Sequence, residues 1–241
     1  MNPDAPRNTL LVIQAHGGME PHIERHWPYW KSAGLDILGI DRVDGPVRWP
    51  EPVATVSIGK STYIDKAGGN MNRILVESFR YCLDAPHLAH YTDFLMIDYD
   101  AVIVAKPPVH PGHFASCLAA FCPPEWGTKS TRCFGTPWWM DRETCREFVE
   151  CGEKMLAEGE YDSGAPDCYC GLILDRTGIE FVPVSSFHAN TLDMRLPWIL
   201  DQCRAAVLNG AWIIHGFRDD QHLDYVLGRI PASSVQNVVY V

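Results

Sequence analysis

The chain has 241 residues, of which 46% are hydrophobic and 21% charged, a composition typical of a globular protein with a substantial core. Its formal net charge of −10 argues against a broad binding surface for nucleic acid or for an anionic membrane, because such surfaces gather lysine and arginine. The apolar run 10–13 is too short for a signal peptide or a membrane span, and the nine cysteines form no paired CxxC framework, so we expect a cytoplasmic protein with reduced thiols.

The first half of the sequence alternates short apolar runs with amphipathic stretches. Strands are predicted at 9–14, 35–40, 53–58 and 94–97, and helices at 20–33 and 70–83. Such alternation predicts an α/β fold with a mostly parallel central sheet flanked by helices. Ligands bind these sheets beyond the carboxyl ends of the strands. We therefore expect the loops at 16–18, 41–44 and 98–100 to lie on one side of the sheet.

The second half of the sequence predicts helices at 142–157, 167–177 and 197–209, and short strands at 179–182 and 212–214. The first of these helices follows Asp141, a residue type that commonly caps helix N-termini. The last strand ends directly before His215. No repeat, low-complexity tract or long linker interrupts the chain, so a single domain is predicted over residues 1–241.

The motif Asp98-Tyr99-Asp100 directly follows the apolar run 94–97 and precedes a second apolar run, 101–104. Side chains at positions i and i+2 of an extended strand point to the same side, so both carboxylates are expected to face one ion. Mg²⁺ and Mn²⁺ prefer oxygen ligands and are often held by one or two carboxylates together with substrate phosphates. The motif therefore predicts a divalent-metal site for a nucleoside diphosphate. Two solvated loop aspartates are the alternative, because short motifs often occur by chance.

Four segments together resemble the GT-A class of nucleotide-sugar-dependent glycosyltransferases, over about residues 9–225. They are the strand, loop and helix of 10–40, the Asp-x-Asp motif after the strand 94–97, the segment 166–172 followed by the strand 178–181, and Trp212-Ile213-Ile214-His215. The resemblance implies a GT-A-like single domain, with a nucleotide-sugar-binding half at about 9–105 and an acceptor-side half at about 106–230. Where many members of the class carry Glu-Asp, this chain has Pro166-Asp167.

That resemblance implies a metal-dependent enzyme that moves a sugar from a nucleoside-diphosphate sugar, with a UDP-sugar as the first candidate, to an acceptor hydroxyl. Asp100 and His215 would hold Mn²⁺ or Mg²⁺, while Asp98 would reach the metal through water or hold the ribose. Asp167 would be the base of an inverting reaction, with Asp162 as the reserve base. The alternative roles are a helix cap for Asp167 and a hydrogen-bonded histidine at a strand end for His215.

The resemblance also implies a set of donor contacts. The base and the ribose would lie near Ala15, His16, Gly17 and Asp41 or Asp44, and the ribose, phosphate or sugar would be reached by Asn72 and Arg73. Lys60 would face phosphate or be solvated, and its surroundings do not form a Walker loop, because the first glycine of that motif is missing. Trp138 and Trp139 would form a wall on which a sugar ring stacks, or would be large core residues.

The acceptor is left open between a glycan, a small hydroxylated molecule and a hydroxymethylated base in DNA, and the acidic net charge argues mildly against DNA. Two alternatives to a glycosyltransferase are also left open. An Asp-x-Asp phosphatase or phosphotransferase usually carries its motif near the first strand, whereas here the motif lies in mid-chain. A nucleotide-sugar-binding module without turnover would bind donor and metal but would release no nucleoside diphosphate.

Overall fold

The computed structural model describes residues 8–15, 18–41, 47–51, 54–58, 69–109, 112–121, 129–130, 132–160, 166–188, 197–217, 219–231 and 234–235. The strands in these ranges are β1 Thr9–Ala15, β2 Asp36–Asp41, β3 Ala54–Ser57, β4 Asp93–Asp98, β5 Ala101–Ile103, β6 Phe114–Phe121, β7 Arg132–Asp141, β8 Phe181–Pro183, β9 Ser186–His188 and β10 Ile213–His215. The helices are α1 Glu20–Ser32, α2 Gly69–Asp84, α3 Arg142–Ala157, α4 Pro166–Thr177, α5 Pro197–Leu208 and α6 Asp220–Val226. None of the described helices has both the length and the apolar character that crossing a membrane requires.

Seven strands form one mixed sheet in the order β3-β2-β1-β4-β7-β6-β8. The first four strands in that order run parallel, as predicted, and β7 is antiparallel to both of its neighbours, β4 and β6. The sheet therefore joins strands from both halves of the chain in one α/β domain with a Rossmann-like arrangement. The strand order reverses between β1 and β4, and the carboxyl ends of strands at such a reversal commonly form a ligand-binding crevice.

Both faces of the sheet are covered, because the central strands are apolar on both sides. In β1, Leu10 and Val12 face a core that includes residues of α2, α3 and α4, whereas Leu11 and Ile13 face a second core that includes residues of α1. A near-continuous apolar strand is typical of a parallel sheet buried on both faces. A ligand is consequently expected at the strand ends and the loops.

A second, three-stranded sheet in the order β5-β10-β9 lies beside the first. β10 pairs antiparallel with β5 and parallel with β9, and places His215 opposite Ala101. A third core, formed by Val102 of β5, Ile214 of β10 and residues of α5 and α6, packs against it. This small sheet joins the chain that follows the Asp-x-Asp motif to a segment more than a hundred residues later.

The predicted elements of the chain agree with the structure to within two residues at each end, and the Asp141 cap is confirmed by a hydrogen bond of 2.8 Å from the Thr144 amide to its carboxylate. The sequence analysis missed four elements, β6, β7, β9 and α6, and the first two are the longest strands of the described ranges. Pro137 lies inside β7, and proline usually argues against a central strand because it cannot donate to the ladder. Here the β6–β7 register shifts between the pairs formed by Ala115 and Cys117, and this irregularity accommodates the proline.

Candidate metal centre

The Asp-x-Asp motif lies in a turn between two strands. β4 ends at Asp98, Tyr99 and Asp100 form the turn, and β5 begins at Ala101. The extended backbone assumed from the sequence for 98–100 was therefore wrong. The two carboxylates nevertheless converge across the turn, and each has a carboxylate oxygen within 4.8 Å of the other.

His215 reaches these acids through the pairing of β5 with β10. Its Cα lies opposite that of Ala101, the residue directly after the motif. The backbone amides of Gly216 and Phe217 donate hydrogen bonds of 3.3 and 3.1 Å to the carbonyl oxygen of Asp100. The position of the imidazole is therefore set by main-chain contacts that also hold the turn.

Three ligand atoms meet at this point. The Nε2 atom of His215 lies 2.9 Å from Oδ1 of Asp100 and 3.4 Å from Oδ2 of Asp98. Metal bonds of about 2.1 Å at right angles place neighbouring ligand atoms about 3 Å apart, so the spacing fits one divalent ion. Within the described residues, this is the one group of three or more carboxylate, imidazole or thiol side chains with metal-binding spacing. Two carboxylates with one imidazole suit Mn²⁺, and Mg²⁺ shares the preference for the oxygens.

The charges of the two acids control the protonation of His215. Burial alone lowers the pKa of the imidazole, but the negative charges and hydrogen bonds of Asp100 and Asp98 outweigh burial and raise it to about 10. The metal-free protein therefore holds a protonated His215 at neutral pH, and this proton supplies the positive charge between the acids. A metal ion that binds here takes the place of that proton, because an imidazolium has no lone pair to donate.

Thr136 supports Asp98 from the neighbouring strand. The antiparallel pairing of β4 with β7 places Met96 opposite Trp138. Two residues beyond this pair on each strand are Asp98 and Thr136, and the Thr136 hydroxyl donates a hydrogen bond of 3.1 Å to Oδ2 of Asp98. This hydrogen bond fixes one oxygen of Asp98, the less buried of the two acids. The sequence analysis missed Thr136 because it missed β7.

Asp167 lies beside this cluster, in the first turn of α4. Burial raises the pKa of its carboxyl to about 7, the negative charge of Asp98 adds to the increase, and His215 opposes it. The thiol of Cys133 lies 3.9 Å from Oδ2 of Asp167 and donates to it. The α4 backbone can approach β7 this closely because Gly171 has no side chain: a Cβ there would lie 2.3 Å from the carbonyl oxygen of Arg132.

The residues predicted to contact the sugar donor differ in their exposure, and some lie outside the described residues. Ala15 lies at the carboxyl end of β1, next to Asp41 at the end of β2. The Asp41 carboxylate is 3% exposed, and burial raises its pKa while hydrogen bonds from the Trp49 indole and the Val47 amide oppose that rise. Asn72 is fully buried near the start of α2, where the neighbouring Arg73 is exposed. His16, Gly17, Asp44, Lys60 and Asp162 lie outside the described residues.

The two tryptophans proposed as a sugar-stacking wall lie in the core instead. Trp138 and Trp139 are each 1% exposed, and they point to opposite faces of the sheet. Adjacent strand residues alternate between faces, so the two indoles cannot form a continuous wall. Of the two sequence interpretations, the structure agrees with large core residues.

Comparison of the sequence with models of known protein families and with functionally characterised proteins finds no significant match. No relative therefore assigns a role to the cluster of Asp98, Asp100 and His215. Its chemistry follows from the donor atoms, their spacing and their place at the carboxyl ends of parallel strands.

We expect the protein to bind Mn²⁺ and the substitution Asp100→Asn to weaken that binding by more than the roughly 10- to 100-fold typical of losing an outer contact. The amide removes one charged ligand and leaves the volume of the side chain unchanged. The measurement is a Mn²⁺ titration in which free ion is followed by electron paramagnetic resonance. Asp84→Asn, at an exposed position at the end of α2, is the control and should bind like the parent. Parent-like affinity in Asp100→Asn would contradict the site.

We also expect the metal-free protein to lose stability as the pH rises from about 6.5 to about 10. His215 has its pKa raised from 6.5 in the unfolded chain to about 10 in the folded one, so the folded state binds more protons in this window. The stabilisation is complete below pH 6.5 and is lost above 10. The free energy of unfolding is measured with urea in EDTA across this range and plotted against pH. We expect His215→Gln to reduce the slope of this plot, whereas His87→Gln, at an exposed position, should leave the slope unchanged. An identical slope in His215→Gln would refute the assignment.

Proposed function

We propose that the protein is a metal-dependent glycosyltransferase that moves a sugar from a nucleoside-diphosphate sugar to an acceptor hydroxyl. The observation that supports this most is the meeting of Asp98, Asp100 and His215 at the carboxyl end of β4, with Asp167 alongside. A cation site for a diphosphate and a separate carboxylate for a hydroxyl proton are the two groups that the reaction requires. A UDP-sugar is the first donor to test, and we expect the protein to act in the cytoplasm.

A divalent ion bound here would neutralise the charge that develops on the leaving diphosphate. The roles of the chain's own residues follow from their positions. Asp100 is 6% exposed at its side chain and lies closest to His215, so these two residues are assigned to holding the ion. Asp98 is more exposed at 29%, and its Oδ2, 3.4 Å from Nε2 of His215, also accepts a hydrogen bond from Thr136. Asp98 is therefore assigned to the outer side of the site, where it would reach the ion directly or through water, or accept a hydrogen bond from the donor ribose.

Asp167 is assigned the role of general base. A base works best when its pKa lies near the working pH, and burial raises the pKa of this carboxyl to about 7. The negative charge of Asp98 contributes to the raised value, so a cation bound between the acids would lower the pKa of Asp167 and increase its ionised fraction when donor and metal are in place. A base separate from the metal ligands fits direct displacement with inversion at the sugar carbon.

The donor would lie over the crevice between β1 and β4. Gln14 of β1 is paired with Asp98 of β4, so the carboxyl end of β1 is the closest edge from which a nucleoside could extend to the metal. Ala15 and Asp41 continue that edge. The acceptor would approach from the side of Asp167 and α4. Glycans, small hydroxylated molecules and hydroxymethylated DNA bases all offer the hydroxyl that this arrangement requires.

The test of this proposal is a donor screen. Thermal unfolding is measured with UDP-, GDP- and TDP-sugars, each with Mn²⁺ and with EDTA, because a ligand that binds the folded state raises its apparent stability. We expect at least one nucleotide sugar to raise the melting temperature with Mn²⁺ and not with EDTA. Release of the nucleoside diphosphate on adding acceptor mixtures then identifies a transferase. Binding without release indicates a non-catalytic module, and hydrolysis of a phosphomonoester without donor binding would favour a phosphotransferase.

Asp167→Asn should lower sugar transfer by roughly 10²- to 10⁴-fold, the usual contribution of a general base, while the donor dissociation constant stays unchanged. The carboxylate is removed at constant volume, and the metal ligands are retained. Transfer is measured under single-turnover conditions, and donor affinity by calorimetry with Mn²⁺. Asp175→Asn, on the exposed end of α4, is the matched control and should transfer normally. If Asp167→Asn transfers at the parent rate, the base lies elsewhere and Asp167 acts only as an acidic residue of the first turn of α4.

A further inference from the structure

Three consecutive carbonyl oxygens, two in the Asp-x-Asp turn and one on the first residue of β5, each accept hydrogen bonds from a distant part of the chain. Nδ1 of His26 donates to the Tyr99 oxygen at 2.9 Å, and Nε1 of Trp30 donates to the Ala101 oxygen at 2.9 Å. The oxygen between them, that of Asp100, accepts from two backbone amides that follow β10. The turn is thus held on two sides, by α1 and by the segment that carries the histidine ligand.

The two side-chain donors lie on one face of α1. His26 and Trp30 are four residues apart, one helical turn, and both are fully buried. Their partners lie 73 and 71 residues further along the chain, so the contacts are tertiary. Apolar side chains at the two positions would also fill the core, but would leave two carbonyls of the turn without these donors. His26, a polar residue on an otherwise apolar face of α1, therefore has a specific partner, the carbonyl oxygen of Tyr99.

The ring of Tyr99 adds a third contact between α1 and the turn. Tyr99 is 7% exposed, packs in the same core as Trp30, and its ring centroid lies 5.8 Å from that of His22. Both the backbone and the side chain at the middle of the motif are therefore fixed by one helix. Little freedom is left for the two acids to move apart, although their like charges repel.

We infer that His26 and Trp30 are positioning residues of the metal site, which hold the carbonyls on either side of Asp100 and so fix the direction of its carboxylate. The inference rests on the metal site of the proposed function and adds α1 to it. Groups that orient metal ligands from behind contribute to affinity without touching the ion. A turn supported in this way holds its carboxylates in place before the ion binds, so no conformational entropy is lost in ordering the turn on binding.

A purely structural role for the same hydrogen bonds would affect stability and leave the metal site unchanged. The two roles differ in one readout, the Mn²⁺ dissociation constant of variants that remain folded. His26→Leu removes the donor, whereas His26→Asn places an amide N–H near the position of Nδ1. Trp30→Phe keeps an aromatic ring and removes only the N–H. Ile23→Val is the control. Ile23 is fully buried on α1 in the same core as Trp30, and the substitution removes one methyl group without changing a hydrogen-bond donor.

Mn²⁺ affinity is measured by calorimetry on each variant without donor, alongside urea unfolding in EDTA. We expect His26→Leu to bind Mn²⁺ about tenfold more weakly than the parent. His26→Asn should recover most of that loss, and Trp30→Phe should weaken binding in the same direction. Ile23→Val should bind like the parent, even where its unfolding midpoint falls. If His26→Leu unfolds, Trp30→Phe and His26→Asn still test the hydrogen bonds.

Parent-like Mn²⁺ affinity in both folded donor-deletion variants would overturn the inference. Equal losses in Ile23→Val and Trp30→Phe would overturn it as well, because the effect would then follow core packing. The same experiments distinguish a failure of this inference from a failure of the proposed transfer reaction. A parent that binds Mn²⁺ in a His26-dependent manner, yet transfers no sugar, supports the positioning role and contradicts the glycosyltransferase. A parent that binds no Mn²⁺ contradicts both.

Discussion

The carboxylates of Asp98 and Asp100 lie close together at a strand end, and two like charges in such a place need a positive charge between them. In the metal-free protein the proton on His215 supplies that charge, which is why burial fails to lower the pKa of this imidazole. The same spacing suits a divalent cation. We therefore propose two forms of the site, one with a proton on His215 and one with a metal ion, with the same surrounding contacts holding the three side chains in both.

Several separate parts of the fold are needed to hold this arrangement. β4 carries the first acid to the edge of the sheet, β10 places the histidine opposite β5, and β7 supplies Thr136. α1 donates hydrogen bonds to the carbonyls of Tyr99 and Ala101, on either side of Asp100. The ligands come from positions 98 to 215, so their geometry depends on the complete sheet system.

The sequence predicted those features that depend on local pattern. Apolar runs and amphipathic spacing were sufficient for the helices α1 to α5 and for the parallel strands β1 to β4, and the position of Asp98-Tyr99-Asp100 after a buried strand was sufficient to suggest a cation site. The long strands β6 and β7 were missed, because a proline and a register irregularity interrupt the alternating pattern. Thr136 and Cys133 were missed with them.

Other site residues could not be predicted because their roles depend on tertiary contacts. Nothing local distinguishes His26 from any polar residue on a helix, and its partner is 73 residues away. The structure shows His26 to be fully buried, and buried polar groups require partners, but that burial is not visible in the sequence. Trp138 and Trp139 show the opposite case. Their chemistry suits sugar stacking, yet strand alternation directs one indole into each core.

The central claim is that one divalent ion is held by Asp98, Asp100 and His215. Anomalous diffraction from crystals equilibrated with Mn²⁺ tests it most directly, because the anomalous signal locates the ion independently of any assay. The account predicts a single strong peak among the two carboxylates and Nε2 of His215, on the side facing the crevice between β1 and β4. No peak there at a saturating concentration, or a peak at a different group of acids, would contradict it.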